Sequence, residues 1–301
     1  MIDTHVHYGA EAYLRDLAEV EEQDRLAGVE KTVCLPISYD DNFTMFERTE
    51  GFQHMFYAAG VHPLHVPPLP EEDRDSFILK LVQKRNEERL GILKEFRQMM
   101  EALDRLINEN HGKIIAVGET GIDIHTDDGA KNLQMQKISF REHIRLAQRH
   151  DLPLILHLRG DGALEEALDV MTRGQFSRIR YRGIWHCFHG SKQDMDVMRR
   201  YSEDMVFGIG GIITYPERGE ELRRNFRQSE KEEVLSRIVL ETDAPYLTPQ
   251  SVLQRDSGAR NVSAYLPEVV RALSEVLETS PEEILRRTTE NAERIFGFRK
   301  K

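Results

Sequence analysis

The 301-residue sequence predicts an α/β fold, a (β/α)8 TIM barrel with an inserted loop and helix after strand three and an extra C-terminal helix. Three observations carry that prediction. Short apolar runs alternate with longer stretches of helical period along the whole chain. Runs such as Ile114-Ile115-Ala116-Val117 are apolar without alternation, as strands buried on both faces must be. Residues able to carry chemistry recur at the ends of those runs, where barrel enzymes keep their sites. An open doubly wound sheet is the alternative, but no Gly-x-Gly-x-x-Gly follows the first strand, so its dinucleotide-binding form loses support.

Taken in order, the candidate strands are 2–6, 31–37, 55–60, 113–117, 153–157, 183–186, 205–209 and 237–241. Helices are expected over 12–27, 39–50, 92–110, 131–150, 163–172, 192–201, part of 217–235, and 264–277. The third is the cleanest: Ile92, Phe96, Met99, Leu103, Leu106 and Ile107 share one face, and Gly112 suits a C-terminal cap. The stretch from His62 to Lys113 is too long for one connection. It begins with Pro63, Pro67, Pro68 and Pro70, then places Phe77, Ile78, Leu81 and Val82 at helical spacing, so 64–90 is expected to be an insertion over the barrel rim. Ser280-Pro281-Glu282-Glu283 reads as the start of a capped terminal helix, with Pro in the first helical position. One domain over 1–301 accommodates all of this.

Composition narrows the function. Hydrophobic residues make up 40% and charged residues 31%, a globular balance. No apolar run approaches the ~18 residues of a membrane span, and the N-terminus opens in a strand pattern rather than a signal peptide. With Cys34 and Cys187 far apart, a cytoplasmic protein without a disulfide is expected. A net charge of −11 argues against broad electrostatic capture of nucleic acid, but not against a local cationic or metal-lined cleft.

Near the strand ends stand His5 and His7, then His62, Glu119, His157, His186 and Asp243. The His5-Val6-His7 pair alone is a weak signal, although side chains two apart leave a strand on one face. Four further strand ends, those of Glu119, His157, His186 and Asp243, supply partners. Imidazoles and carboxylates gathered on one rim without a cation would leave costly unpaired groups. Nitrogen-plus-carboxylate ligation suits Zn²⁺, Mn²⁺, Fe²⁺ or Ni²⁺, and a carboxylate-rich pair tolerates Mg²⁺. Six ligands exceed what one catalytic ion uses, so two divalent metal ions sharing a carboxylate is the economical arrangement.

The motifs Asp3-Thr4-His5-Val6-His7, Gly60-Val61-His62-Pro63, Gly118-Glu119-Thr120-Gly121-Ile122-Asp123 and Ile155-Leu156-His157-Leu158-Arg159 recur in order. They are followed by His186-Cys187-Phe188-His189-Gly190, Glu241-Thr242-Asp243-Ala244-Pro245-Tyr246-Leu247, Arg260-Asn261, and a late stretch from Thr289 to Phe296. Together they resemble the TatD family of metal-dependent deoxyribonucleases, a branch of the amidohydrolase superfamily. The resemblance implies a two-metal barrel that hydrolyses phosphodiester bonds of DNA, single-stranded or at 3′ ends, as a 3′–5′ exonuclease or an abasic-site nuclease. One metal would be held by His5, His7 and Asp243, with Glu119 bridging to a second held by His157 and His186. Asp243 would also act as general base, while His62 and Arg159 would pair with substrate phosphate oxygens. Asp3, Glu241, Arg260 and Asn261 look like supports.

His189, Thr120, Ile122 and Ile124-His125 depart from the family pattern, as do the residues after Asn261 and the long stretch before Glu119. None is a proposed ligand, and all lie on the rim where substrate would be read. A small phosphate ester, lactone or cyclic amide is therefore the alternative substrate, and a non-catalytic barrel the third reading. Phe188, Tyr215 and Tyr246 sit on rim loops where they could stack bases, although packing is the commoner use. His54, His111, His143 and His150 are expected to be solvated or capping.

Overall fold

The computed structural model describes residues 1–49, 51–52, 54–69 and 86–298. Eight strands form one sheet in the order β1 to β8, each parallel to the next. They are β1 (Ile2–Val6), β2 (Lys31–Cys34), β3 (Met55–Ala59), β4 (Ile114–Asp123), β5 (Leu154–Arg159), β6 (Arg182–Trp185), β7 (Asp204–Ile209) and β8 (Ile238–Leu240). Beyond the last strand the chain returns to the first: Asp243 N donates to the His5 carbonyl at 2.9 Å and His7 N to the Ala244 carbonyl at 2.8 Å. These bonds bring the ring to near closure as a TIM barrel.

The connections are helical: α1 (Leu17–Leu26), α2 (Asp41–Thr49), α3 (Asn86–Glu109), α4 (Asp127–Lys131), α5 (Leu133–His150) and α6 (Ala163–Thr172). They continue with α7 (Lys192–Tyr201), α8 (Glu220–Arg227), α9 (Lys231–Leu235), α10 (Gln250–Arg255), α11 (Leu266–Leu277) and α12 (Pro281–Phe296). Ile2, Val33, Ala58, Ile115, Ile155, Ile184, Val206 and Val239, one from each strand, pack together with Ala292, Ile295 and Phe296 of α12. Only the inside of a ring lets eight consecutive strands meet in one cluster. The terminal helix supplies its plug. Ser280 caps α12 by accepting from Glu283 N at 3.2 Å, and Gly297 ends it in the left-handed region, φ 69°. A second, larger cluster lies between the strands and the outer helices.

Several boundaries differ from the sequence expectation. Strand four runs on through Asp123 instead of stopping at Val117, so Glu119 lies within it. The Gly-Glu-Thr-Gly composition reads as a loop, but glycine is what lets β4 press against β5. A Cβ on Gly121, at φ 136°, would stand 2.3 Å from the His157 carbonyl oxygen. Helix α3 starts at Asn86 and absorbs the end of the expected 64–90 insertion. Within that insertion the expected helix through Phe77, Ile78, Leu81 and Val82 lies outside the described residues. The 12–27 expectation resolves into a single turn at Glu11–Tyr13 followed by α1. His143 is not solvated: it is fully buried on α5. Among the described residues no helix is long and apolar enough to cross a membrane.

Candidate metal centre

Five strands of the ring deliver one cluster of imidazoles and carboxylates to one end of the barrel. His5 is fully buried in β1, and His7 follows where that strand ends. Glu119 comes from β4, His157 from β5, His186 from the residue after β6, and Asp243 from the turn after β8. Asp3 holds two of these segments together. Its Oδ1 accepts from His5 N at 3.2 Å and Thr242 N at 3.1 Å, and its Oδ2 from Thr242 Oγ1 at 2.7 Å and Ser263 Oγ at 2.6 Å. Cys187 and Asp243 both adopt left-handed backbone, φ 50° and 59°. Non-glycine residues take that conformation at a cost of roughly 1–3 kcal/mol, a strain that concentrates at functional sites.

Glu119 is the centre of the arrangement. Its Oε1 lies 3.4 Å from His5 Nε2 and 3.4 Å from His7 Nε2. Its Oε2 lies 3.2 Å from His157 Nδ1 and 3.0 Å from His186 Nε2. Asp243 Oδ1 faces the first pair, 3.7 Å from His5 Nε2 and 3.3 Å from His7 Nε2.

Proton positions on the imidazoles follow from the partners on their far sides. His7 Nδ1 meets the Leu35 carbonyl at 3.0 Å, which can only accept, so Nδ1 carries hydrogen and neutral His7 offers its Nε2 lone pair to the cluster. His157 Nε2 meets Asp123 Oδ2 at 2.9 Å, so its Nδ1 lone pair faces Glu119. His62 is the reverse. Its Nδ1 accepts from Leu64 N at 3.1 Å, leaving the hydrogen on Nε2, which points at His157 Nδ1 from 3.2 Å. His62 therefore enters the cluster as a donor, although its distances alone would group it with Glu119 and His157 as a ligand.

Lone pairs and carboxylate oxygens thus converge with nothing positive between them, which a proton or a metal ion must relieve. Burial works to lower the His7 and His157 pKa values. Asp243 and Glu119 outweigh it at His7, and Asp123 and Glu119 at His157, raising both to about 9. His186 falls to about 4 and His62 to about 3, each through burial, with His5 adding at His186 and His157 at His62. Burial would raise Glu119, but His186 and His5 hold it well below the usual carboxylate range. At neutral pH, protons on His7 and His157 answer this crowding, and a divalent cation displacing them would meet neutral imidazole nitrogens and ionised carboxylates, a donor set that suits it.

Of the expected supports, Glu241 is fully buried beside the cluster; its Oε1 accepts from Cys187 N, and Oε2 has no hydrogen-bond partner among the described residues. Gly208 leaves it room, since a Cβ there would come within 1.9 Å of Oε2. Asn261 ties the Asp243 turn through Thr242 O at 2.9 Å and Tyr246 O at 2.7 Å. Arg260 stacks over Tyr13 at 4.4 Å and pairs with Asp16. Arg159 ends β5 with an exposed side chain. Sequence reasoning missed Asp123, whose spacing from Glu119 along one strand was the available signal, and the Leu35 carbonyl, which no sequence signal marks.

The sequence model of the family described as "TatD related DNase" matches residues 2–297. The chain belongs to the TatD-related DNase family. It is 30% identical over 297 residues to an uncharacterized metal-dependent hydrolase, YabD, of Bacillus subtilis (strain 168), covering 98% of each chain. It is 23% identical over 303 residues to a 3′–5′ ssDNA/RNA exonuclease TatD of Citrobacter rodentium, covering 99% of this chain and 98% of that one. Among solved structures, the TatD homologue YjjV of Escherichia coli K12 superposes with a TM-score of 0.75 at 25% identity, covering 99% of this chain and 98% of that one. Organophosphorus hydrolase superposes at 13% identity with a TM-score of 0.63, a likeness of fold. The protein is a metal-dependent hydrolase of the TatD family.

Proposed function

We propose that this TatD-family hydrolase cleaves phosphodiester bonds of single-stranded DNA from the 3′ end, using two divalent ions. The observation that carries the reading is the division of Glu119 between two imidazole pairs, one on each carboxylate oxygen. A carboxylate so divided suits a bridge between two cations. On this assignment His5, His7 and Asp243 hold one ion, His157 and His186 hold the other, and Glu119 serves both. Bound there, the ions would supply Lewis acidity and make water a stronger acid.

The remaining work falls to side chains. Asp243 has its pKa held below the usual value: burial would raise it, and the surrounding imidazoles of His7, His186 and His5 together outweigh that. It stays ionised and can take the proton of the attacking water. His62 directs Nε2–H into the cluster and would donate it to a phosphate oxygen. Arg159 adds an exposed cation on the same rim, suited to a neighbouring phosphate.

The test is direct. Protein stripped with EDTA and resupplied separately with Mg²⁺, Mn²⁺, Zn²⁺ or Ni²⁺ is given 5′-labelled single-stranded DNA and a small chromogenic phosphodiester. Shortening from the 3′ end with at least one ion, lost in His186→Ala and Glu119→Gln, is the expected result. Turnover of the small ester without any shortening would move the substrate to small esters. Turnover of neither would remove the phosphodiesterase reading.

A further inference from the structure

The three aromatic residues on the rim loops have separate fates. Phe188 is buried against Trp185 and Phe207, with ring centroids 5.0 and 4.5 Å away. Tyr215 commits its hydroxyl to the Thr248 carbonyl at 2.8 Å. Tyr246 stays 51% exposed. Its ring lies 6.1 Å from the His7 ring, beside the metal cluster, and its hydroxyl has no hydrogen-bond partner among the described residues.

The backbone beneath that ring is stiff. Tyr246 N donates to the Asp243 carbonyl at 2.8 Å, and the fully buried Asn261 holds the Tyr246 carbonyl at 2.7 Å. An exposed aromatic ring on a fixed turn is already oriented for a ligand, so little ordering entropy is lost on contact. The surroundings narrow the ligand. Burial raises the phenol pKa, so the ring keeps its hydroxyl proton and is uncharged. On the nuclease reading above, the cation-loaded cluster beside the ring would take the phosphate, which leaves the neutral, flat part of the substrate for the ring. A nucleobase has the apolar faces to lie on the ring, and every base can do so.

We propose that Tyr246 is the base-stacking platform of the site, holding a nucleobase adjacent to the scissile phosphodiester and so ranking substrates by whether they carry one. The proposal rests on the nuclease reading above. It makes Tyr246 a specificity determinant that acts on binding.

The experiment is a cycle between ring and base. KM and kcat are measured for an oligothymidylate and for the same oligonucleotide with the two nucleosides at each end abasic, using wild type, Tyr246→Phe and Tyr246→Ala. Wild type should prefer the intact oligonucleotide in KM by roughly tenfold, within what one base–aromatic stack supplies. Tyr246→Phe should keep that ratio, and Tyr246→Ala should bring it close to one, with kcat on the intact substrate little moved. A ratio that survives in Tyr246→Ala overturns the proposal and leaves the nuclease reading standing. So does a loss in Tyr246→Phe equal to that in Tyr246→Ala, since the hydroxyl would then be what matters. Wild type that cleaves neither oligonucleotide overturns both.

Discussion

Asp123 decides which nitrogen of His157 faces Glu119. Its carboxylate accepts from Nε2, which leaves the Nδ1 lone pair aimed at the cluster. An amide in its place could turn its NH2 toward the ring and favour the tautomer that cannot ligate. Asp123→Asn should therefore weaken divalent-metal affinity by about 10–100-fold, the usual cost of losing a carboxylate behind a ligating histidine. A competition titration with a chromogenic chelator measures it, and unchanged affinity would show that Asp123 does not select the tautomer. At this scale the residues that the cluster gathers were legible, because strand ends and residue type mark them. The roles of their partners were not. Whether an imidazole donates or accepts depends on what lies behind it, and for His7 that is the carbonyl of Leu35 on another strand.

Helix α5 shows how an element outside the site reaches it. His143, buried on its inner face, donates from Nδ1 to the Ser139 carbonyl at 2.8 Å and accepts from Val61 N at 3.0 Å on Nε2. Asn42 of α2 grips the neighbouring Gly60 from the other side, at 2.7 and 2.9 Å. Together they fix the turn that presents His62. Burial depresses the His143 pKa to about 4, against about 6.5 in an unfolded chain. The folded state resists protonation, so this contribution is complete above pH ~6.5 and declines as pH falls toward 4. The decline should be about 2 kcal/mol between pH 6.5 and 4.5. Urea midpoints compared across that range for wild type and His143→Gln measure it, the variant lacking this part of the slope. Equal slopes would show that other groups carry the acid sensitivity. The sequence pattern reads α5 correctly as a helix, but not His143 as core, since its partner is 82 residues away. Strand four was cut short for a related reason: its glycines look like a loop until β5 is laid beside them.

For the molecule as a whole, the ligands assigned above come from β1, β4, β5, β6 and the turn after β8, so an ion bound among them ties the ring together. Binding to the native state alone stabilises by about 2.7 kcal/mol at a hundredfold excess over Kd. That corresponds to a rise of about 4 °C in Tm for a chain of this size. A thermal scan with and without EDTA should show the shift in wild type and little of it in Glu119→Gln. An equal shift in both would place the ion elsewhere. The overall architecture was legible because alternating period and apolar strand runs survive at low identity, while the loops that set substrate choice follow no period.

The return from β8 to β1 also has a consequence for when the protein can act. Asp243 reaches the cluster only where its own N–H and that of His7 stitch the last turn to the first strand. A polypeptide still emerging from the ribosome carries His5 and His7 long before their carboxylate partner is synthesised. On the ligand assignment proposed here, hydrolytic competence is thus a property of the completed ring, and a half-made chain lacks it.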